Sequence, residues 1–150
     1  MTIDNFWLAR FIFEWLIWLT FADKSRWREI MPVCIFASFV SLLVDQICEL
    51  LGLWQYLPND TLADLINAIG IYLIVTYLFI QYLPEQRTIL SLFKYFFFWT
   101  AAAITVEFIH VYFGYMKHET WNFGFSYISN WLLFCMFYTF HRTLKLSKLN

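Results

Sequence analysis

Apolar runs close to the length of a bilayer crossing constrain this chain more than any other feature. At about 1.5 Å per helical residue, about 20 residues cover the roughly 30 Å of hydrocarbon. Five such stretches occur: Phe6 to Phe21, Pro32 to Leu51, Leu62 to Leu83, Ile89 to Phe113 and Phe125 to Phe140. Pro32 suits a first helical turn, Gly52 a helix C-terminus, Pro58 keeps the next loop from being helical, and Pro84 closes the third stretch. The first stretch contains Arg10 and Glu14 but is otherwise apolar all round, whereas an interfacial helix carries a broad polar face. It is therefore read as a span. The expected architecture is all-α and polytopic, with residues 1–150 forming one bundle of five transmembrane helices.

Composition removes the competing classes. The 150 residues are 61% hydrophobic and 14% charged, against about 45–50% and about 25% in a soluble domain. A net charge of −1 leaves no basic field to attract nucleic acid. Cys34, Cys48 and Cys135 fall within spans without C-x-x-C spacing, so they read as small packing residues. Residues 1–5 carry no Lys or Arg and no small-residue cleavage site follows, so the N-terminus is expected to be retained. No internal repeat and no low-complexity segment is visible in the residue string.

Basic residues settle the expected orientation. Lys24, Arg26, Arg28, Arg87, Lys94, Arg142, Lys145 and Lys148 fall on one side, while the loops of the other side contribute only Lys117. Positive loops stay in the cytoplasm, which predicts the N-terminus outside and the C-terminus inside. Trp54 and Trp121 then fall in the outer aromatic belt and Trp27 in the inner one.

Ionisable side chains inside a bilayer are costly and usually functional, so their depth is informative. Asp45 and Glu49 lie six and two residues before the outer end of the second span, about 9 Å and 3 Å deep. Glu107 and His110 occupy similar levels on the fourth span, Asp64 and Asn67 on the third, and Ser126, Ser129 and Asn130 on the fifth, while the first adds Arg10 and Glu14. At about 100° per residue, Cys34, Ser38, Ser41, Asp45 and Glu49 share one stripe, and Thr100, Ala103, Glu107, His110 and Gly114 share another. Such stripes face neighbouring helices. The sequence thus predicts an outward-facing acidic pocket of Asp45, Glu49, Glu107 and His110, with Glu14, Arg10, Asp64, Asn67 and Asn130 as neighbours.

Carboxylates gathered with a histidine suit a cation, either a divalent metal ion held by Asp45, Glu107 and His110 or a small cationic ligand. A single Glu107-x-x-His110 falls short of the paired motifs of di-iron bundles. The alternative is internal pairing, with Arg10 on Glu14 at i,i+4, His110 on Glu107 or Asp45, and some of the acids simply protonated. Asp64 has its own bland reading, since Thr61-x-x-Asp64 resembles a capping box. The loop from Gly114 to Gly124 suits a lid or an access rim. Nucleophile, P-loop and dinucleotide motifs are missing, which disfavours an enzyme. A lipid- or isoprenoid-modifying enzyme with Glu107 and His110 as acid and base ranks last. The leading expectation is a sensor, binding component or part of a transport assembly; the alternative is an accessory scaffold docking a larger membrane protein or a second copy.

The segments DKSRWREIMPVCIFASFVSLLVDQICELLGLWQY, YLFIQYLP and EFIHVYFGYMKHETWNFGFSYISNW, between Asp23 and His141, resemble an uncharacterised family of small multi-span membrane proteins from spore-forming Gram-positive bacteria. The resemblance implies a bacterial plasma membrane location and carries over no activity and no functional residue.

Overall fold

The protein is seen in a computed structural model that describes residues 3–57 and 61–148, without the side chains of residues 3, 4 and 61–63. Pro58 and the Thr61 side chain of the expected capping box therefore lie outside the described residues. Five helical rods form the bundle. Helix α1 covers Ile3–Phe21 and α2 covers Trp27–Leu50. The third rod is continuous but changes pitch, from α3 (Thr61–Asn67) through a π-helical turn (Ala68–Tyr72) into α4 (Leu73–Gln81). Helices α5 (Ile89–Tyr112) and α6 (Phe123–Thr143) complete it. The rods match the five expected stretches. Three segments, Lys24–Leu50, Asp64–Gln81 and Ile89–Tyr112, are long and apolar enough to cross a membrane. Asp4, Arg10 and Glu14 lower the hydropathy of α1, and α6 is diluted by Ser, Asn, Tyr and Trp.

One boundary differs from expectation. Helix α2 begins five residues before Pro32 and carries the proline inside it. The missing Pro32 N–H removes one hydrogen bond near a helix start, where several donors are unpaired in any case. The early turn is held by Glu29, which accepts from Arg26 Nε and Nη2 at 2.9 Å each and lies 2.8 Å from His141 Nε2 on α6. Glu29 and His141 are both buried. Arg26 also donates to the Gln81 carbonyl at 2.9 Å, so this cluster ties α2, α4 and α6 together at one end of the bundle.

The surface is apolar and the interior polar in stripes. Ile35, Phe39, Leu43 and Ile47 of α2 are exposed, whereas Cys34, Ser41, Asp45 and Cys48 on the opposite face are buried. Helix α5 likewise exposes Phe97, Phe98 and Phe108 and buries Thr100 and His110. An aromatic core of Tyr77, Phe79, Phe96, Phe134, Phe137 and Tyr138 fills the centre. Charged groups turned inward beneath an apolar outer surface reverse the arrangement of a water-soluble domain.

The other end carries a feature the sequence does not announce. Helix α2 closes with Gly52 at φ +65° and α5 with Gly114 at φ +74°. Each glycine makes the same two-bond Schellman turn: Gly52 N–H to Glu49 O at 3.0 Å and Leu53 N–H to Cys48 O at 2.9 Å, Gly114 N–H to Val111 O at 3.1 Å and Tyr115 N–H to His110 O at 2.8 Å. A short strand follows each, β1 (Trp54–Tyr56) and β2 (Met116–His118). The two pair antiparallel with Gln55 opposite Lys117 at the centre. Flanking bonds repeat the relation, Leu57 N–H to Tyr115 O at 3.0 Å and Glu119 N–H to Leu53 O at 2.9 Å. Counted from their glycines, the partners are interchangeable, so a local pseudo-two-fold axis passes through the Gln55–Lys117 pair. It relates the end of α2 and β1 to the end of α5 and β2. The repeat absent from the residue string is therefore present in the spacing of caps, strands and acids: Asp45 and Glu107 each precede their glycine by seven residues.

Candidate functional site

Beneath the two-stranded cap lies a cavity of about 210 Å³. Asp45, Glu107, His110, Arg10, Asn67 and Asn130 all line it. Glu14, Glu49 and Asp64 lie outside its wall. The cavity follows α5 from His110 to Trp99, about 16 Å at 1.5 Å per residue. Its upper part is polar and its lower part is formed by Val75, Trp99, Leu133, Phe134 and Phe137.

Arg10 organises one wall. Its Nε lies 2.9 Å from Glu14 Oε1, Nη1 2.8 Å from His110 Nε2, and Nη2 donates to Asn67 Oδ1. The guanidinium also sits 4.5 Å from the centre of the Trp7 ring. A planar fork of five donors satisfies three diverging acceptors in a way a lysine cannot. Because Arg10 only donates, His110 Nε2 must accept, leaving Nδ1 to donate to the Val106 carbonyl at 2.7 Å. His110 is therefore the neutral Nδ1–H tautomer with both nitrogens engaged. The π turn makes this approach feasible, since a Cβ on Gly70 would stand 2.5 Å from Glu14 Oε2. Asn67 Nδ2, on a side chain almost fully buried, has no partner among the described residues.

The two carboxylates at repeat-equivalent positions are each held by a hydroxyl. Tyr72 donates to Asp45 Oδ2 at 2.7 Å, and its oxygen lies 3.1 Å from that of Tyr56. With its own proton committed to Asp45, Tyr72 accepts from Tyr56. Burial, reinforced by Asp45, pushes the Tyr56 phenol well above its ordinary pKa, so it remains a donor. On the other side Ser126 donates to Glu107 Oε1 and accepts from Trp121 Nε1 at 2.8 Å. His118 Nε2 lies 2.8 Å from the same Glu107 oxygen. Tyr56 and His118 occupy equivalent strand positions, four residues beyond Gly52 and Gly114, so the cap sends one side chain towards each acid.

The remaining expected site residues are engaged elsewhere. Glu49 accepts the Tyr56 backbone N–H at 3.1 Å and so anchors the cap. Asp64 accepts from the Gln46 amide, and Asn130 donates to the Ser126 carbonyl at 2.9 Å. The Arg10–Glu14 pair takes the i,i+4 form expected from sequence, but His110 turns to Arg10 and Glu107 to His118, not to each other. Asp45, Glu107 and His110, the expected metal ligands, share the cavity, yet among the described residues no three His, Cys, Asp or Glu side chains form a group that could hold a metal ion.

Sequence reasoning missed Tyr72, Tyr56, Trp54 and Met116, which line the same space. Tyr72 sat in an apolar run and the others in loops. Strand alternation is the only local signal that could have aimed Trp54, Tyr56, Met116 and His118 to one face. The Arg26–Glu29–His141 cluster was missed as well, although Arg26 and Glu29 stand at helical i,i+3 spacing. No family model matches the chain, and no curated protein or solved structure matches it either.

Proposed function

We propose that this is a five-span protein of the bacterial plasma membrane, N-terminus outside and C-terminus inside, that binds a small organic cation in the cavity beneath its outer cap. The observation that carries the reading is that Asp45 of α2 and Glu107 of α5, each seven residues before its cap glycine, line one cavity. Arg10 is paired with Glu14, which leaves Asp45 and Glu107 as the carboxyl groups facing the cavity. The aromatic lower part and the engaged nitrogens of His110 favour an organic cation over a metal ion, because aromatic faces attract cations that are weakly hydrated. The protein then acts as sensor, binding component or part of a transport assembly.

A thermal-shift panel of divalent metal ions and small alkylammonium ions on the purified protein tests this. An alkylammonium ion at saturation should raise the melting temperature by about 5 °C, and the Asp45→Asn/Glu107→Gln double variant should lose that response. A flat response across the panel overturns the reading.

One observation favours the second reading, an accessory scaffold for a larger membrane protein or a second copy: Asp45, Glu107 and Glu14 each already have a partner within the fold. In that case removing either partner lowers stability without altering binding.

A further inference from the structure

The cavity has a side opening, and its position says which kind of cation enters. Of the residues lining it, Ala102 alone is exposed, on the face of α5 turned towards the third rod. Ile71 and Val75 of that rod are half-buried and line the same space, as does Val106 one turn further along α5. The gap is bounded at both ends by side chains that bridge it. Above, Arg10 of α1 joins the two rods, meeting His110 of α5 at 2.8 Å and Asn67 of the third rod. Below, Tyr95 donates to the Phe79 carbonyl at 2.6 Å and Trp99 packs edge-on against Phe79 at 5.9 Å. Between these contacts the cavity lining includes the small residues Ala102 and Ala103 and the aliphatic Val106, Ile71 and Val75. The surface of α5 beside Ala102 is apolar, with Phe98 and Ile109 exposed.

We propose that this is a lateral window to the hydrocarbon, and that the ligand is a membrane-partitioned amine with a long apolar tail. Its ammonium group reaches Asp45 and Glu107, its tail lies against Val75, Trp99 and Phe134, and a hydrogen-bond acceptor near the head meets the unpartnered Asn67 Nδ2. Entry from the bilayer needs no opening of the cap, which is closed by backbone hydrogen bonds on both flanks of the strand pair. A water-soluble cation would instead have to pass Trp54 and Met116, both buried. The proposal rests on the cation reading above and adds the route and the tail.

The test is binding of tritiated dodecylamine to the full chain in lipid nanodiscs, corrected with empty nanodiscs, beside competition by propylamine. Wild type should bind dodecylamine at least tenfold more tightly than propylamine. Ala102→Trp, and independently Val75→Trp on the opposite sill, should slow the association of both amines at least tenfold, and at equilibrium should weaken only dodecylamine, whose tail occupies the opening. Equal affinity for the two amines, or window variants that leave dodecylamine binding unchanged, overturns the window while propylamine binding dependent on Asp45 keeps the cation site. Binding of neither amine overturns both.

Discussion

Arg10 gathers α1, the third rod and α5 at one guanidinium, and its removal should reveal how much the fold relies on that. Taking away one partner of a buried charge pair leaves the other uncompensated, at a cost of about 3–5 kcal/mol. Arg10→Met should therefore destabilise the protein by about that amount in reversible denaturant unfolding in micelles, and Arg10→Lys should recover only part, since an ammonium lacks the planar fork. Equal stability of wild type and Arg10→Met would show that Glu14 is accommodated without its partner. At the opposite end, Glu29 and His141 bury nearly all their surface against each other. A double-mutant cycle with Glu29→Gln and His141→Phe should give a coupling energy of about 0.5–3 kcal/mol, and additive effects would deny the contact its role. Depth counting along the apolar runs could find Asp45, Glu107, His110 and Arg10, because a charge inside a hydrophobic stretch is conspicuous in a residue string. Glu29 and His141 were not legible: both sit at the ends of their runs, where charges ordinarily face water, and only the tertiary packing of α6 on α2 buries them.

At the scale of elements, the five helices were legible because each apolar run ends in a charge, a proline or a glycine. The π turn was not, since nothing in Ala68-Ile-Gly-Ile-Tyr72 departs from an ordinary apolar helix. Its consequence is concrete. One extra residue in a turn rotates the helix beyond it, which brings Tyr72 to Asp45 while Asn67 on the preceding turn faces Arg10. Gly70 allows α1 to approach, and Glu14 cannot swing away without leaving Arg10. Gly70→Ala should therefore cost about 1–3 kcal/mol by overpacking, read as a lowered denaturation midpoint. An unchanged midpoint would mean that Glu14 is free to move. The cap was illegible for a different reason: two three-residue strands from loops about 60 residues apart have no local pattern long enough to read, and only the identical Schellman turns on Gly52 and Gly114 bring them into register.

For the molecule as a whole, the repeat, the cavity and the orientation form one account. The expectation that acids from separate helices gather at one level holds for those that line the cavity, while Glu14, Glu49 and Asp64 support its surroundings instead. Their individual directions depended on rotamers and hydrogen-bond partners that spacing alone does not specify. Orientation is checked by single cysteines on the two ends, in a variant with Cys34, Cys48 and Cys135 replaced. A cysteine at Lys117 should react with a membrane-impermeant maleimide in intact cells and one at Lys145 only after lysis; the reverse order would invert the proposed topology. The account stands or falls on the joint use of Asp45 and Glu107. Equilibrium dialysis of labelled propylammonium against wild type, Asp45→Asn, Glu107→Gln and the double variant measures this directly. Each single change should weaken binding at least tenfold and the double should abolish it, whereas affinities unchanged from wild type in both singles would contradict a cation held between the two acids.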